Sequence, residues 1–522
     1  MAQPAPGSLL RALATVGGAT LVSRLFGFLR DVGIAAALGT GVIADAFFMV
    51  LQLANFFRRL LAEGALNSAF VPVWLRIKAT EGEAGAWRFF RGVFEAMALV
   101  AIALALMAMV FADDIVAAVA PGFSGDRAAA AADYLALAAP YVAVAAALAV
   151  LAALLNAEHR VGAVALGVIV FNAAMLAALG AIFLSGALLP PRVGAVLAQA
   201  IVAGGLAQFA VVFAGFLRLS RPAIGGLTAI ALSKETWRFF ALAVPGLVAA
   251  GIPQLKLIAG AMIASSSPAA VSWLYYANRL YELPLGIAAI AIASVIAPRI
   301  AASVLGGDDG AIRQAQSRAL EIALGLALPA AAGFAVLALP IAAGLFERGA
   351  FDARDSAAVA AALAAICAGL PGHVTEKVLG AISFAHEDTR TPMLAALCGL
   401  AAAALGGLLL FPAHGATGVA AAIALSGWVG AGVMAVVTAR RGWLRLEPAA
   451  WPRLGRIVLA AALMAAAVAA AKAGLDAAVP ALPRLVMVVA LVGLGLAVYG
   501  AALHLLRIVR LGELRAAARR LP

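Results

Sequence analysis

The sequence predicts an all-α polytopic membrane protein of about fourteen transmembrane helices, because of its composition, its apolar runs and the placement of its charges. The chain has 522 residues, of which 65% are hydrophobic and 12% charged, and its mean hydropathy is +1.06. A soluble domain is about half apolar and about a quarter charged. This chain therefore cannot cover itself with a water-facing surface, which excludes a large soluble enzyme and a disordered protein.

The span prediction follows from the lengths of the apolar runs. A bilayer core needs about 20 apolar residues per helix, and several uncharged runs meet that length outright. The run 391–439 is too long for one span, and the Pro- and Gly-containing stretch 412–418 divides it into two. The predicted spans cover 10–36, 43–74, 90–112, 133–156, 162–187, 193–217, 236–264, 271–299, 314–340, 356–384, 391–411, 416–439, 455–474 and 485–508.

The orientation prediction rests on the lysines and arginines between the spans. With the N-terminus in the cytoplasm, these residues are about four times as frequent in inside segments as in outside segments, as the positive-inside rule requires. Both termini are then cytoplasmic. The first apolar stretch continues through Arg24 and Arg30 without a small-residue cleavage site, so we expect it to be retained. Because the loops are short, any function must lie among the helices.

Three short motifs recur at nearly one spacing, which predicts an internal duplication. The pairs are Gly122 with Gly349, Pro72 with Pro298, and Leu151 with Leu379, separated by 227, 226 and 228 residues. Six helices per repeat preserve orientation, so the repeat would be a parallel one, as in many transporters. The predicted organisation is an N-lobe at 1–217, a C-lobe at 218–440, and two additional helices with a basic tail at 441–522.

Seven basic residues fall inside predicted spans: Arg24, Arg30, Arg58, Arg59, Lys256, Arg279 and Lys377. A charge at the centre of a bilayer costs about 2.5–3.5 kcal/mol on the insertion scale. These side chains must therefore face a hydrated cavity or one another.

In the first span the charges follow helical spacing. Arg24, Gly27 and Asp31 share one face, and Ser23 and Arg30 share a neighbouring face. One interpretation is a structural ion pair of Arg30 with Asp31 or with Asp45 in the next span. The other interpretation is that this arginine-rich face lines a cavity.

The second and eighth spans leave the same alternatives open. Asn55, Arg59 and Glu63 line one stripe, with Arg58 beside it, and Arg59 could pair with Glu63. The eighth span carries Arg279 three residues before Glu282, and Lys256 lies in the seventh. Arginines outnumber acids in this set, and the planar guanidinium suits phosphate, so the sequence predicts an anion-binding cavity.

The N-terminal residues resemble the MurJ/MviN family of bacterial lipid II flippases, which belongs to the multidrug/oligosaccharidyl-lipid/polysaccharide exporter superfamily. The segments that carry the resemblance are SRLFGFLRD at 23–31, ADAFF at 44–48, NFFRRLLAEGA at 55–65, AFVP at 69–72, APGF at 120–123, SWLYYANRL at 272–280 and LFERGAF at 345–351. The resemblance covers essentially the whole chain, and the first 75 residues are its most specific part.

The resemblance implies fourteen helices, two lobes facing a central cationic cavity, and a hydrophobic groove for a polyprenyl tail beside the last two helices. It implies a flippase that moves lipid II, the undecaprenyl-pyrophosphate-linked peptidoglycan precursor, to the periplasmic leaflet of the bacterial inner membrane. Membrane lipids and cell-wall synthesis machinery are its implied partners. The implied substrate-binding residues are Arg24, Arg30, Arg58 and Arg279.

The remaining candidate residues would support or gate the cavity: Ser23, Asp31, Asp45, Asn55, Arg59, Glu63, Lys256, Asn278 and Glu282. This chain departs from the family pattern at Asn278, where many members have Asp, and at Gln52 and Ala54, where some have Lys and Pro. Asn278 removes a possible partner for Arg279.

Other functions remain open at this point. A flippase for another polyprenyl-pyrophosphate-linked glycan could share a basic cavity, whereas a multidrug exporter would need acids for cationic substrates. A membrane glycosyltransferase would need a catalytic acid at a loop face, and we interpret its sole candidate, Asp113 with Asp114, as a solvated loop. A structural scaffold would not explain the basic residues inside the spans.

Cofactor and nucleic-acid chemistry have no support in the sequence. Cys367 and Cys398 both lie in apolar stretches, which argues against a disulfide framework and a cysteine metal site. The five histidines lack zinc-ligand spacing. The net charge of +12 is explained by cytoplasmic loops and an anionic ligand. We therefore expect a transporter, not an enzyme, with no cofactor, no metal and no nucleic-acid partner.

Overall fold

The computed structural model describes residues 6–62, 65–186, 189–219, 234–479 and 482–508, and all regular structure in these ranges is helical. The helices are α1 (Pro6–Leu38), α2 (Val42–Ala62), α3 (Ala65–Thr80), α4 (Gly82–Val110), α5 (Ala112–Val119), α6 (Asp126–Ala138), α7 (Pro140–Ala157), α8 (Val161–Ser185), α9 (Pro190–Leu217), α10 (Lys234–Ala264), α11 (Ala270–Ala291), α12 (Ala297–Gly306), α13 (Asp309–Phe346), α14 (Ala353–Cys367), α15 (Leu370–Ala385), α16 (Arg390–Arg440), α17 (Ala450–Ala478) and α18 (Arg484–Leu505). A π-helical turn at Ile292–Ile296 joins α11 to α12.

The chain is an all-α polytopic membrane protein, as predicted. Within the described ranges, 10 helical stretches are long and apolar enough to cross a membrane. The exact number of fourteen spans stays a prediction. Helix α16 changes direction at Gly415, whose φ of 54° and ψ of −137° are non-helical. This break falls inside the stretch that the sequence predicts to divide two spans.

Two predicted single spans are two helices each. The stretch 133–156 corresponds to α6 and α7, and 356–384 to α14 and α15. Pro140 opens α7 and Pro371 lies in the first turn of α15, where a missing backbone N–H costs little. Asp113 and Asp114 are exposed, but they lie in the first turn of α5 and not in a loop.

The chain forms two compact units. The first contains Met1–Ile258 together with Arg348–Phe351. In it, α7 packs against α2, α3, α4 and α9, and α8 packs against α1 and α9. Aromatic side chains of α3, α4 and α10 form part of its core, where Phe70 contacts Phe89 and Phe239 with ring centres 5.3 and 6.1 Å apart.

The second unit contains Ala259–Glu347 together with Asp352–Pro522. Helix α13 packs against α14, α15, α17 and α18, and α16 packs against α14 and α15. Glycines allow the close approach of α15 and α16, since a Cβ at Gly372 would come within 2.8 Å of the Trp428 backbone nitrogen. Small residues serve this purpose in membrane helices generally.

Equivalent features of the two halves repeat at a spacing of 228 residues. Helices α7 and α15 end at Ala157 and Ala385. Each is followed two residues later by a non-glycine residue in the left-handed region, His159 with φ 57° and Glu387 with φ 58°. These pairs support the internal duplication, whereas the lobe boundaries at 217 and 440 stay a prediction.

Glu158 joins α3 to the end of α7 in the first unit. Its Oε1 accepts hydrogen bonds from Trp74 Nε1 at 2.9 Å and Lys78 Nζ at 2.8 Å. Burial raises the pKa of Glu158, but these two hydrogen bonds and the charge of Lys78 outweigh that effect, so the pKa lies below its ordinary value. The ionised carboxylate is therefore the form that the fold stabilises.

A carboxyl whose pKa is lowered by folding stabilises the protein above its ordinary pKa of about 4.3, and that stabilisation is lost as the pH falls through the lowered value. We expect Glu158→Gln to lower the thermal unfolding temperature at pH 7 and to flatten its decline between pH 5 and pH 3. Fluorescence-detected unfolding of detergent-purified protein measures both. Glu83→Gln is the control, because Glu83 lies 3.9 Å from Lys78 and is mostly exposed. Equal pH profiles for Glu158→Gln and the unsubstituted chain would contradict this role.

The segment Arg348–Phe351 packs against the end of α1. Ala350 N donates to Ala36 O at 2.9 Å. Gly39 and Gly349 both have a φ of +60°. A Cβ at Gly39 would overlap the Ala350 carbonyl, and one at Gly349 would overlap the Ala36 carbonyl. Backbone thus lies directly on backbone, at two positions that only glycine occupies without strain.

Gly39→Ala should destabilise the chain by about 2–4 kcal/mol, because it adds a clash with backbone to the cost of a left-handed alanine. Gly307→Ala is the matched control, since Gly307 has a φ of +68° but open space around its Cβ. It should cost only about 1–2 kcal/mol. Thermal unfolding of both variants in one detergent gives the comparison. Equal losses would show that the contact with Ala350 contributes nothing.

Candidate functional site

Arg30 of α1 is held by a buried ion pair. Its Nε and Nη2 donate to Asp31 Oδ1 at 2.9 and 2.7 Å, and its Nη1 donates to Asn172 Oδ1 of α8 at 3.2 Å. Arg30 is 6% exposed and Asp31 is fully buried. Asn172 is itself oriented by a 3.0 Å hydrogen bond from its Nδ2 to the Val168 carbonyl. The ion pair of Arg30 with Asp31, one of the interpretations from the sequence, is thus present in this structure.

Arg24 lies in a different environment on the same helix. Its side chain is exposed, Ser23 is half-buried, and Gly27 between Arg24 and Arg30 is buried. In an α-helix, positions six apart lie well apart around the axis, so α1 presents its two arginines to different surroundings. Arg24 is the accessible one.

Asp45 of α2 pairs with Arg127 of α6. Arg127 Nη1 lies 3.2 Å from Asp45 Oδ2, Nη2 donates to the Gly122 carbonyl at 2.8 Å, and the guanidinium lies 4.2 Å from the ring centre of Phe123. Burial lowers the pKa of Arg127, and the charge and hydrogen bond of Asp45 oppose that shift. Arg127 belongs to a predicted outside segment, and no spacing along the sequence links it to Asp45.

The second unit has an equivalent contact at the duplication spacing. Trp273 Nε1 donates to Asp355 Oδ1 at 3.1 Å, and both residues lie 228 positions after Asp45 and Arg127 respectively. The donor and the acid have changed places between the two repeats. Asp355 also belongs to a reciprocal cap with Asp352 at the start of α14, so this carboxylate serves two structural purposes.

The arginines of α2 contact neutral amides. Arg58 Nε donates to Asn55 Oδ1 at 3.4 Å, and Arg59 Nη1 donates to Gln254 Oε1 of α10 at 3.4 Å. An amide oxygen orients a guanidinium without cancelling its charge. Both arginines are half-buried. Glu63 lies outside the described residues, so its predicted pairing with Arg59 stays a prediction.

Lys256 follows Gln254 by two positions on α10 and is 8% exposed. Gln254 was not among the predicted site residues. A glutamine in an apolar span was the available signal, but one polar residue does not reveal its partner.

On α11, Glu282 accepts from both predicted neighbours. Arg279 Nη1 lies 3.6 Å from Glu282 Oε2, and Asn278 Nδ2 donates to Glu282 Oε1 at 3.4 Å. The ion pair predicted from the spacing of Arg279 and Glu282 is confirmed. Asn278 contacts the same carboxylate through its amide, so the departure from the family pattern turns a possible acid into a donor.

A polar network beside this group was not predicted. Tyr281 Oη lies 2.8 Å from His373 Nδ1, and Ser426 Oγ lies 3.4 Å from His373 Nε2. A Cβ at Gly427 would come within 2.5 Å of the His373 ring, so glycine makes room for the imidazole. A histidine in an apolar span was visible in the sequence, but its partners on two other helices were not.

The described candidate residues thus form two groups, each inside one unit. Ser23, Arg24, Arg30, Asp31, Asp45, Asn55, Arg58, Arg59 and Lys256 belong to the first unit, and Asn278, Arg279 and Glu282 to the second. Basic residues outnumber acids in the first group, whereas the second has one arginine and one acid. Guanidinium groups bind phosphate oxygens well. In the described ranges, no group of three or more His, Cys, Asp or Glu side chains could hold a metal ion.

Most of the chain matches one known protein family. The sequence profile described as "Lipid II flippase MurJ" matches residues 34–481. The chain belongs to the MurJ family of lipid II flippases. The family is one of transporters and not of enzymes, and the resemblance stated from the N-terminal segments is confirmed.

Relatives within the family cover nearly the whole chain. The "Probable lipid II flippase MurJ" of Rhizobium meliloti (strain 1021) is 38% identical over 515 residues, covering 96% of each chain. The "Lipid II flippase MurJ" of Burkholderia cenocepacia is 29% identical and covers 88% of this chain and 89% of its own.

Solved structures show the same fold. "Lipid II flippase MurJ, inward closed conformation" matches with a TM-score of 0.78 at 21% identity, covering 93% of this chain and 97% of that one. An inward-facing MATE family transporter of the MOP superfamily matches with a TM-score of 0.63 at 14% identity, covering 82% and 98%. The MurJ-family chain therefore has the MOP superfamily fold.

Asp45→Asn should destabilise this family member by about 3–5 kcal/mol, because it leaves the buried Arg127 guanidinium without its carboxylate. Asp45→Asn with Arg127→Met should recover part of that loss, since both charges are then absent. Trp273→Phe at the equivalent contact should cost about 1–3 kcal/mol, the cost of an unmade hydrogen bond. Thermal unfolding in detergent ranks the three. A double variant no more stable than Asp45→Asn would show that the charge of Arg127 is not what the pair balances.

Proposed function

We propose that this chain flips lipid II from the cytoplasmic to the periplasmic leaflet of the bacterial inner membrane by alternating access, in peptidoglycan biosynthesis. A cationic central cavity binds the pyrophosphate and the headgroup. Membership of the MurJ family over most of the chain carries this proposal. Membrane lipids are its surroundings, the cell-wall synthesis machinery is its proposed partner, and both termini lie in the cytoplasm.

The charges on the first two helices support an anionic substrate. Apart from Arg11 near the N-terminus, α1 and α2 carry four arginines against Asp31, Asp45 and the neighbouring Glu63. Asp45 also pairs with a further arginine, Arg127 of α6. The arginines therefore outnumber the acids, and the surplus positive charge suits a pyrophosphate with about two negative charges.

The four proposed substrate-binding arginines differ in how ready they are to bind. Arg24 is exposed, and Arg58 is oriented by the Asn55 amide. Arg279 contacts Glu282 at 3.6 Å, a distance that leaves its guanidinium able to exchange partners. Arg30 is held most tightly of the four, by Asp31 and Asn172. It therefore contributes to transport by holding α1 in place, or it binds substrate after its ion pair with Asp31 has opened during the cycle.

The membrane potential gives the transport a direction. Moving one charge through 100 mV is worth about 2.3 kcal/mol, so an inside-negative potential favours outward movement of a pyrophosphate-linked lipid. The same field favours the inward return of an emptied cationic cavity. Alternation is supported by relatives of this fold solved in inward-facing and outward-facing conformations, with TM-scores of 0.63 and 0.56.

Complementation tests this function. The chain is expressed in bacteria depleted of their own lipid II flippase, beside variants at equal membrane abundance. The unsubstituted chain should restore growth. The double variant Arg24→Ala with Arg279→Ala should not restore growth, since each substitution removes a cation from the cavity. Arg24→Lys should retain part of the activity, because it keeps the charge but loses the planar fork.

Arg192→Ala is the control, since Arg192 is an exposed arginine at the start of α9. Growth with the double variant would refute the site while leaving the function in place. If the unsubstituted chain fails despite good expression, another polyprenyl-pyrophosphate-linked glycan becomes the better substrate.

A further inference from the structure

A cavity of about 670 Å³ lies within the second unit, away from Arg279 and Glu282 along the chain. Its walls come from the π turn and α12, the first half of α13, the segment before α17 with the first turn of α17, and the residues that follow α18. The cationic lining residues are Arg299, Arg318, Arg453 and Arg507, and Glu447 is the acid among them. The volume is in the range of small-molecule sites.

Two of the arginines are fixed by a buried carboxylate. Glu321, which is 3% exposed, accepts from Arg318 Nη1 at 3.2 Å and from Arg453 Nη1 at 3.0 Å. Arg453 Nη2 also donates to Glu447 at 2.9 Å. These contacts hold α13 and α17 together and position the two guanidinium groups along the wall.

The other two arginines lack such contacts within the part of the chain that the structure describes, where neither Arg299 nor Arg507 makes a side-chain hydrogen bond or ion pair. Both residues are exposed and line the cavity, Arg299 from α12 and Arg507 from the segment that follows α18. The four arginines against Glu447 and Glu321 leave the cavity with a net positive charge. An anion that enters it therefore meets donors that are already in place.

Arg507 occupies a position that glycine usually fills. Its φ is 56°, Arg507 N donates to His504 O at 3.0 Å, and Ile508 N donates to Leu503 O at 2.9 Å. This is the Schellman arrangement at a helix end, in which a non-glycine residue is strained. Arg507 therefore accepts a strained backbone conformation in a position from which its side chain lines the cavity.

One face of α13 is small and polar where it meets the cavity. Ala311, Ala315 and Ala319 follow one another at every fourth position and leave space, while Gln314 offers a further donor. The opposite wall is apolar, with Val295 and Ile296 of the π turn. The site thus has a cationic part for a headgroup and an apolar part for a chain.

The surroundings place this cavity at a membrane surface. Trp451 of α17 is 66% exposed, and exposed tryptophan is typical of the membrane–water interface. The segment that joins α16 to α17 is among those that the excess of arginine assigns to the cytoplasm. Basic pockets between transmembrane helices on that side suit anionic lipid headgroups.

From these observations we propose that the cavity binds the phosphodiester headgroup of an anionic phospholipid of the inner leaflet. Arg299 and Arg507 bind the phosphate oxygens. Arg318 and Arg453 add positive electrostatic potential at the headgroup. An acyl chain lies along Val295 and Ile296. The bound lipid bridges α12, α13 and the residues after α18, and none of the proposed substrate arginines of α1, α2 and α11 lines the site.

Native mass spectrometry of the full chain in detergent tests the site, with phosphatidylglycerol, phosphatidylcholine and inorganic phosphate as separate probes. Phosphatidylglycerol should bind at least tenfold more tightly than phosphatidylcholine. Arg299→Gln with Arg507→Gln should remove most of that preference while the contacts of Glu321 stay intact. Ala315→Trp keeps every charge but fills the cavity, and it should weaken phosphatidylglycerol binding as well.

The matched control is Arg390→Gln with Arg440→Gln, which removes two exposed arginines of the same unit that do not line the cavity. It should leave the preference unchanged. The proposal is overturned if this control loses as much binding as Arg299→Gln with Arg507→Gln, or if Ala315→Trp binds normally. Equal binding of inorganic phosphate and the lipid would overturn the lipid assignment in favour of a free anion site.

Discussion

A charged side chain in an apolar environment needs a partner, and this requirement governs how the helices of this chain join. Arg30 with Asp31 and Asn172 ties α1 to α8, and Asp45 with Arg127 ties α2 to α6. Each contact is buried, where an unpaired charge would cost several kcal/mol. Apolar surfaces pack without fixed partners, whereas each of these polar contacts joins one particular pair of helices.

The duplication shows how such contacts are retained and altered. The contact between α2 and α6 has its equivalent between α11 and α14, where Trp273 replaces the acid and Asp355 replaces the arginine. The positions that bridge the helices have persisted, while the chemistry has changed from an ion pair to a single hydrogen bond. At this contact the first repeat has two buried charges, Asp45 and Arg127, and the second repeat has one, Asp355. This agrees with the larger number of arginines on α1 and α2.

Arginine has three different uses in this protein. Arg30 and Arg127 are buried and hold helices together, whereas Arg24 is exposed and is one of the arginines proposed to bind the substrate. Arg318 and Arg453 share the buried Glu321 and form one wall of a separate cationic cavity. Burial and the nearest carboxylate decide which use applies, and both depend on neighbouring helices.

The sequence by itself determined the membrane class, the helical fold and the family, because these depend on composition, run length and local motifs. The internal duplication stays a prediction. It also predicted the pair of Arg279 with Glu282, since residues three apart on a helix are neighbours. Only the tertiary structure decided that Arg127 pairs with Asp45, that Gln254 contacts Arg59 and that His373 contacts Tyr281. These partners lie on different helices, 82, 195 and 92 residues apart, so no spacing along one helix could link them.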